Sequence, residues 1–586
     1  MWQYVPPWRD MRFVIEELLD LPARWATMSA FDAVDAEVAR QVIDGAGRFA
    51  SQVLAPINAG GDLEGCTWHD GDVRSPAGFR QAYAAFVEAG WPTLACDVDC
   101  GGQGLPQVLN SVLYEMLVGA NHAWTMAPGL LHGAYECLRR HAAPELRERY
   151  LAKVVSGEWL ATMCLTEAQA GSDLGRVATR AVPQGDGSFS IDGQKIFISG
   201  GEHDLTDNIV HLVLARLQDP LQGPAPAGSR GLSLFVAPKW LDDGSRNGIF
   251  CDGIEKKMGI KGSPTCVMRF DGARGWLVGE PHRGLAAMFA MMNSARVHVG
   301  LQGLGHAEAA WQNALRYANE RVQSRAPGLA AVSTGVIAEH PAVQRLLWSL
   351  RVRVEAARVL AYEASHLIDV SEHGDDPAQA GRARQIASLL TPVVKAVLTH
   401  NGFQAASDAL QVWGGHGYIH DFGIEQTLRD SRIAMIYEGT NEIQAIDLLA
   451  RKGVADGGHA LAALYDWVEG ALPPACRHGE TVRRCIGELR RITGDLIEAA
   501  STDPQLAYRA ADDFMHALGL LLFAQGFARA DAVAERALAA ATEEPDFYAD
   551  KRAAASWFMQ RELPEFTRRL ELLRGAGRPW AQPVMG

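Results

Sequence analysis

Apolar residues recur every three to four positions over most of this chain and every two positions over one stretch near its middle. Phe13, Ile15, Leu18 and Leu19 make one broad apolar face, and residues 35–54 and 76–88 keep the same period. That spacing predicts helices. The stretch Asp-Val-Asp-Cys-Gly-Gly-Gln-Gly-Leu-Pro at 97–106 interrupts them. No Gly-Lys-Ser/Thr follows its glycines, so a P-loop is excluded and a turn between helices is the better reading. Residues 107–155 return to the helical period.

From about residue 161 short β-type runs alternate with turns, at 178–182, 189–191, 195–199, 209–217, 232–237 and 265–270. Asp186-Gly187 and Asp192-Gly193 are hairpin signals. Strand runs with no helices between them predict an antiparallel sheet or small barrel rather than a Rossmann unit. The Pro- and Gly-rich segment 218–230 reads as a surface excursion. Long helical patterns resume at 285–321, 341–371 and 385–412, with loops at 325–340 and 372–381. After a break at 455–458, an Ala-, Leu- and Arg-rich block follows. The fold class expected is mainly α with a small β-domain. Four domains are read: 1–160 helical, 161–283 β, 284–453 helical, and 454–586 an additional helical domain.

The 586 residues are too many for one core, which agrees with several domains. A net charge of −14 disfavours nucleic acid and anionic membranes as partners. No run of about 18 apolar residues stands out, so no membrane span is expected. The first residues carry no basic-then-apolar leader, which predicts a cytoplasmic protein. The nine cysteines are scattered and read as reduced thiols, with no zinc spacing. His416 and His420 have an i, i+4 spacing, but Gly417 between them argues against a metal pair.

The chemistry concentrates at 431–452. An apolar run leads into Glu438, and Gly439 then permits a tight or left-handed backbone. Thr440 and Asn441 are N-cap residues for a helix whose apolar face carries Ile443, Ile446 and Ala450. Glu438 thus sits on an elbow between two apolar segments. A carboxylate in a dry pocket beside uncommitted N–H groups can take a proton next to a carbonyl and hold the resulting enolate. Burial would raise its pKa and the helix N-terminus would lower it. The plain alternative is a first-turn glutamate that serves the helix dipole.

Tyr437-Glu438-Gly439-Thr440-Asn441-Glu442-Ile443-Gln444 resembles the catalytic-base motif of the acyl-CoA dehydrogenases. Further stretches match that family in the same order: the Gly-Gly-x-Gly loop at 101–104, Met163 to Asp173, Lys195 to Gly200, Glu320 to Arg325, and Gln411 to Tyr418. The resemblance makes Glu438 the base and FAD the cofactor. It implies that Leu165, Thr166, Gly171, Ser172, Phe197 and Ser199 meet the flavin. Arg321, Gln323, Gln411, Gly414 and Gly415 would contact the flavin of the neighbouring subunit, and Thr440 and Glu442 also fall to the cofactor. Ser172, Arg296 and Gly439 would meet the substrate, and no metal is implied. The apolar stretch with Trp124, Met126, Leu130, Leu131 and His132 suits the wall of an acyl pocket, or plain core.

This chain departs from the family at two positions. Ala168 stands where proline is usual, and Phe197 where tryptophan is common, which keeps a flat face but loses an N–H donor. Some members carry the base just before the arginine that resembles Arg296. Ala295 stands there and cannot take a proton, which leaves Glu438 as the matched base.

The implied fold is a helical domain, a β-barrel-like domain and a four-helix domain, with an extra C-terminal helical domain as in a long bacterial branch. The implied reaction is oxidation of a saturated acyl-CoA to the trans-2-enoyl-CoA, with electron-transfer flavoprotein as acceptor. Compact members form tetramers through their C-terminal helices, and the extra helical block here could cover that surface, so a homodimer is expected. Two alternatives are an acyl-CoA oxidase and a DNA-alkylation-response relative. The latter needs a basic tail, whereas residues 460–586 hold more Asp and Glu than Lys and Arg.

Overall fold

The structure, a computed structural model, describes residues 1–219, 226–329 and 332–577. They group into two compact units: Gly45–His298, and Met1–Asp44 together with the chain from Val299 onward. The fold is mainly helical with a small sheet domain and further helices near the C-terminus, as the residue pattern predicts.

In Gly45–His298 the helix Gln107–Thr125 is buried almost throughout. Trp124 near its end packs edge-on against Phe86 at 5.4 Å and donates from Nε1 to the Phe79 carbonyl at 3.1 Å. The 97–106 stretch is a turn, as read. A Cβ at Gly102 would lie 1.9 Å from the Cys96 carbonyl oxygen, so only glycine fits there. A hairpin of β1 (Thr67–His69) and β2 (Asp72–Arg74) interrupts the helices.

The remaining strands are β3 (Leu160–Cys164), β4 (Arg180–Pro183), β5 (Phe189–Ser199), β6 (Ile209–Leu217), β7 (Leu232–Pro238), β8 (Ile249–Ile254) and β9 (Thr265–Val278). They form a 7-stranded sheet among the described residues, in the order β3-β6-β4-β5-β9-β7, with β8 on β9. A further β6–β7 pairing closes β6, β4, β5, β9 and β7 into a barrel-like ring, while β3 and β8 each pair on one side only. Ile191, Val213, Phe235, Met268 and Phe270 fill its core.

Three expectations are corrected here. The sheet is mixed, because β3 and β4 both run parallel to β6. The chain from β4 reaches β6 by way of β5, an arrangement that residue periodicity does not announce. Asp192-Gly193 is no turn; β5 runs through it. A Cβ at Gly193 would lie 2.4 Å from Thr179 Oγ1, so this glycine serves a close approach. Asp186-Gly187 does turn β4 into β5, with Ser188 N–H donating to Asp186 Oδ1 at 2.9 Å. Strands β3 and β8 were not foreseen at all.

The other unit is built on long helices: the part of Gly284–Glu320 from Val299, then Pro341–His373 and Pro377–Trp413. A Cβ at Gly402 would sit 2.4 Å from the Gly303 carbonyl oxygen, so glycines let two helices touch backbone to backbone. The expected loop 372–381 shrinks to a few residues. Asp376 caps the next helix by accepting from Ala378 N–H at 2.9 Å, and Pro377 suits its first turn. Residues 220–225, 330–331 and 578–586 of the expected loops and C-terminal block lie outside the described residues.

The C-terminal helices are His459–Gly470, Gly479–Ala500, Leu506–Ala539, Pro545–Trp557 and Pro564–Gly575. Contrary to the reading above, Leu506–Ala539 is long and apolar enough to cross a membrane, but 89% of its apolar window is buried within the protein. Arg529 on this helix pairs with the buried Glu363 at 2.6 Å. The N-terminal residues join the same unit: Asp10 pairs with Lys551, and Phe13 meets Phe547 edge-on at 5.6 Å. All nine cysteines are free thiols.

Candidate active site

In the unit from Val299 onward, the helix Ile424–Ser431 and a short 3-10 turn, Arg432–Met435, lead to the elbow. Glu438 has φ 57° and Gly439 φ 82°, two left-handed residues in succession. Such a φ is strained for glutamate and persists only where surrounding bonds impose it. Gln444, fully buried, supplies them. Its Nε2 donates to the Glu438 carbonyl at 2.9 Å and to the Gly439 carbonyl at 3.4 Å. A Cβ at Gly439 would lie 2.8 Å from that same nitrogen, so glycine is required.

Past the elbow, Thr440 caps the helix Asn441–Ile446 by accepting from Ile443 N–H at 3.4 Å. Asn441 is anchored on Pro377–Trp413. It accepts from Lys395 Nζ at 2.9 Å and Thr399 Oγ1 at 3.2 Å, and donates to the Ala396 carbonyl at 3.1 Å. On the other side, the Tyr437 hydroxyl donates to Gln302. Burial first, and then the neighbouring Glu438 charge, raise the Tyr437 pKa, so this phenol stays a donor. The Glu442 carboxyl is held below its usual range, chiefly by a hydrogen bond with Thr440. Motif reading missed Gln302, Lys395 and Thr399, and it assigned Gln444 no task. Only its place in the eight-residue motif marked Gln444.

Arg321, Gln323, Gln411, Gly414 and Gly415 lie on the surface of this unit. Aromatic packing joins their two stretches. Tyr317, one turn before Arg321, stacks on Trp413 at 4.2 Å and 18°, and its hydroxyl meets His416 Nδ1 at 2.9 Å. A Cβ at Gly414 or Gly415 would meet nothing within 4 Å, so the backbone there is open to a ligand. His416 stacks on Phe422, while His420 Nδ1 meets Glu425 at 2.6 Å, so the two histidines serve different partners.

In Gly45–His298, β3 runs into a tight turn in which Glu167 and Ala170 exchange backbone bonds at 3.0 and 2.9 Å. Leu165 and Thr166 are half-buried before it; Gly171 and Ser172 are exposed after it. The turn is tied to β5 by Ile196 N–H donating to the Thr166 carbonyl at 2.9 Å. Lys195, fully buried, donates from Nζ to the Leu165 carbonyl at 2.9 Å and to Glu167 at 2.8 Å. Glu167 also accepts from Ala178 N–H, Thr179 N–H and Thr179 Oγ1 at 2.7, 3.0 and 2.6 Å. Burial opposes the Glu167 charge, but Lys195 and these donors outweigh it and bring its pKa to about 2. Burial also lowers the Lys195 pKa, while Glu167 pulls it back up. This pair escaped the sequence reading, which saw Lys195 only as the start of a strand motif.

Two residues on from Lys195, Phe197 has φ 59° and is 59% exposed. The β5–β9 register shifts between Lys195 and Ile198, and such a bulge re-aims a side chain. The structure thus ties Leu165 and Thr166 to the start of the segment that carries Phe197 and Ser199, and leaves the Phe197 ring exposed. A Cβ at Gly171 would meet nothing within 4 Å. These features fit a flat cofactor with a phosphate tail. Arg296 is buried on Gly284–Glu320, with Nη1 donating to Asn293 Oδ1 at 3.5 Å.

Comparison with known proteins matches four family models along the chain. They are described as Acyl-CoA dehydrogenase N-terminal domain at 36–158, middle domain at 162–273 and C-terminal domain at 282–453, and Acetyl-CoA dehydrogenase C-terminal like at 462–581. This chain belongs to the acyl-CoA dehydrogenase family. It is a flavoprotein oxidoreductase acting on the CH–CH bond of an acyl-CoA, and its cofactor is FAD.

Among its relatives is the 3-methylmercaptopropionyl-CoA dehydrogenase of Ruegeria pomeroyi, 39% identical over 96% of each chain. The broad-specificity linear acyl-CoA dehydrogenase FadE5 of Mycobacterium tuberculosis is 35% identical, again over 96% of each. Caenorhabditis elegans ACDH-11, solved in complex with C11-CoA, shares the fold with a TM-score of 0.77 at 20% identity, over 95% of this chain and 91% of that one.

Proposed function

We propose that Glu438 is the catalytic base, and that it removes the α-proton of a saturated acyl-CoA thioester. The observation that carries this is the strained left-handed elbow, imposed by Gln444 and capped by Thr440, which presents one carboxylate. FAD, when bound, supplies the acceptor for the hydride that leaves the β-carbon. The α-proton goes to the Glu438 carboxylate, and the electron pair it leaves becomes the trans-2 double bond. Ser172, Arg296 and Gly439 are assigned to substrate binding. Leu165, Thr166, Gly171, Ser172, Phe197 and Ser199 are assigned to the flavin, and Thr440 and Glu442 also to the cofactor. Arg321, Gln323, Gln411, Gly414 and Gly415 hold the flavin of the neighbouring subunit; their exposure on the single chain supports this reading.

The protein works as a cytoplasmic homodimer that passes electrons to electron-transfer flavoprotein. The relatives' names as dehydrogenases support a protein acceptor over oxygen. Its domains run 1–160, 161–283, 284–453 and 454–586. The acyl group is 3-methylthiopropanoyl or a medium- or long-chain fatty acyl one; the relatives' names support the first and, for the second, a linear chain. A panel of acyl-CoAs assayed with a dye acceptor tests this. Reduction of dye by one of these classes is expected. No reduction by any saturated acyl-CoA would overturn the reading.

A further inference from the structure

Lys195 and Glu167 form a buried ion pair at 2.8 Å. A buried ion pair can often be replaced by apolar side chains at no loss, because desolvating the charges costs as much as their attraction returns. Where such a pair persists, a positional reason is to be sought. Here both side chains are nearly inaccessible, at 0% and 4%. Lys195 bridges two segments: it rises from β5 and donates to the Leu165 carbonyl on the turn at 2.9 Å. Glu167 continues the bridge to Ala178 and Thr179, at the far end of the same loop. Between these anchors lie Thr166, Gly171 and Ser172. Two residues beyond Lys195 lies Phe197, held in a left-handed conformation.

The geometry points to Lys195 and Glu167 as positioning residues for the flavin, which set the turn carrying Leu165 and Thr166 against the bulge carrying Phe197 and Ser199. The inference rests on the proposed flavin contacts of those residues. It follows from two observations. The peptide that joins Leu165 to Thr166 has its carbonyl bonded by a buried ammonium. A hydrogen bond at the oxygen polarises the amide and strengthens its N–H as a donor toward a ligand. The Thr166 carbonyl is bonded in turn by Ile196, so both ends of the turn's entry are fixed to β5. Loss of the pair would leave the turn without the anchor that gives it one position, and a misplaced contact weakens binding and alters the electronic environment of whatever it touches.

The test uses full-length holoenzyme and its FAD-stripped form. Lys195→Met is expected to weaken FAD reconstitution at least tenfold and to shift the flavin absorption band and reduction potential. Breaking one partner of a buried pair can also unfold the protein. The double variant Lys195→Met with Glu167→Gln therefore removes both charges while a side-chain oxygen still accepts from Ala178 and Thr179. It is expected to melt near the parent yet keep the weakened affinity and shifted spectrum. A double variant that binds FAD as tightly as the parent, with an unshifted band and potential, would overturn the inference. Thr166→Ala separates the underlying reading: if it too leaves FAD affinity and spectrum untouched, the flavin contacts themselves are misassigned.

Discussion

Gln444 holds Glu438 by its backbone: the buried amide Nε2 donates to the Glu438 carbonyl at 2.9 Å, while Glu438 keeps a φ of 57°. The glutamate side chain is thereby left to point where the strained backbone sends it. The proposed base and the residue that fixes its backbone are six positions apart.

Substitution Glu438→Gln should leave flavin content unchanged and abolish turnover. The amide is nearly isosteric but cannot take a proton, and loss of a general base costs about 10²–10⁴-fold. Stopped-flow reduction of the flavin by substrate reads this directly. Rapid bleaching of the variant's flavin would sink the assignment of the base.

Gln444→Leu should relax the elbow. It removes both donated bonds while keeping most of the bulk, at a cost on the order of 1–3 kcal/mol of stability. The expected outcome is a lower melting temperature and a kcat reduced by roughly tenfold or more, since misplacing a reacting group by about 1 Å can cost 10²-fold. Normal kcat in a variant with the lowered melting temperature would mean that Glu438 does not depend on this clamp.

Arg321→Ala should weaken FAD retention, because the proposed charge-assisted contact with the cofactor would be lost. If that contact is with the neighbouring subunit's flavin, dilution should release flavin from the variant sooner than from the parent. Flavin fluorescence against protein concentration measures it. Parent-like retention at every concentration would remove the role from Arg321.

Truncation after residue 459 should turn the proposed homodimer into a tetramer or an aggregate. Leu506–Ala539 covers Pro341–His373 and Pro377–Trp413 closely: a Cβ at Gly519 would lie 2.8 Å from Val397, and one at Gly526 3.3 Å from Val359. Its removal exposes that apolar face and strips Arg529 from the buried Glu363. Light scattering after size exclusion distinguishes the outcomes. A well-behaved, active truncated dimer would show that these helices do something else.

The sequence by itself determined whatever depends on neighbours along the chain. Helical periods, the Asp186-Gly187 turn, the Thr440 cap and the break at Gly439 all follow from preferences over a few residues, and all are present. The motif around Glu438 is equally local, which is why the family was legible. Only the tertiary structure decided what crosses long separations. Gln302 meets Tyr437 from 135 positions away, and Lys195 meets Glu167 from 28. Gly193 looked like a turn because its chemistry allows one. Its true constraint is Thr179 on a neighbouring segment, which no local pattern contains. Phe197 likewise reads as an ordinary strand residue, and only the register shift against β9 turns its ring outward. A chain's short-range preferences are written in adjacent side chains. The partners that hold a strained elbow or a buried charge are chosen by packing, which brings distant residues within hydrogen-bond reach only once the whole fold has formed.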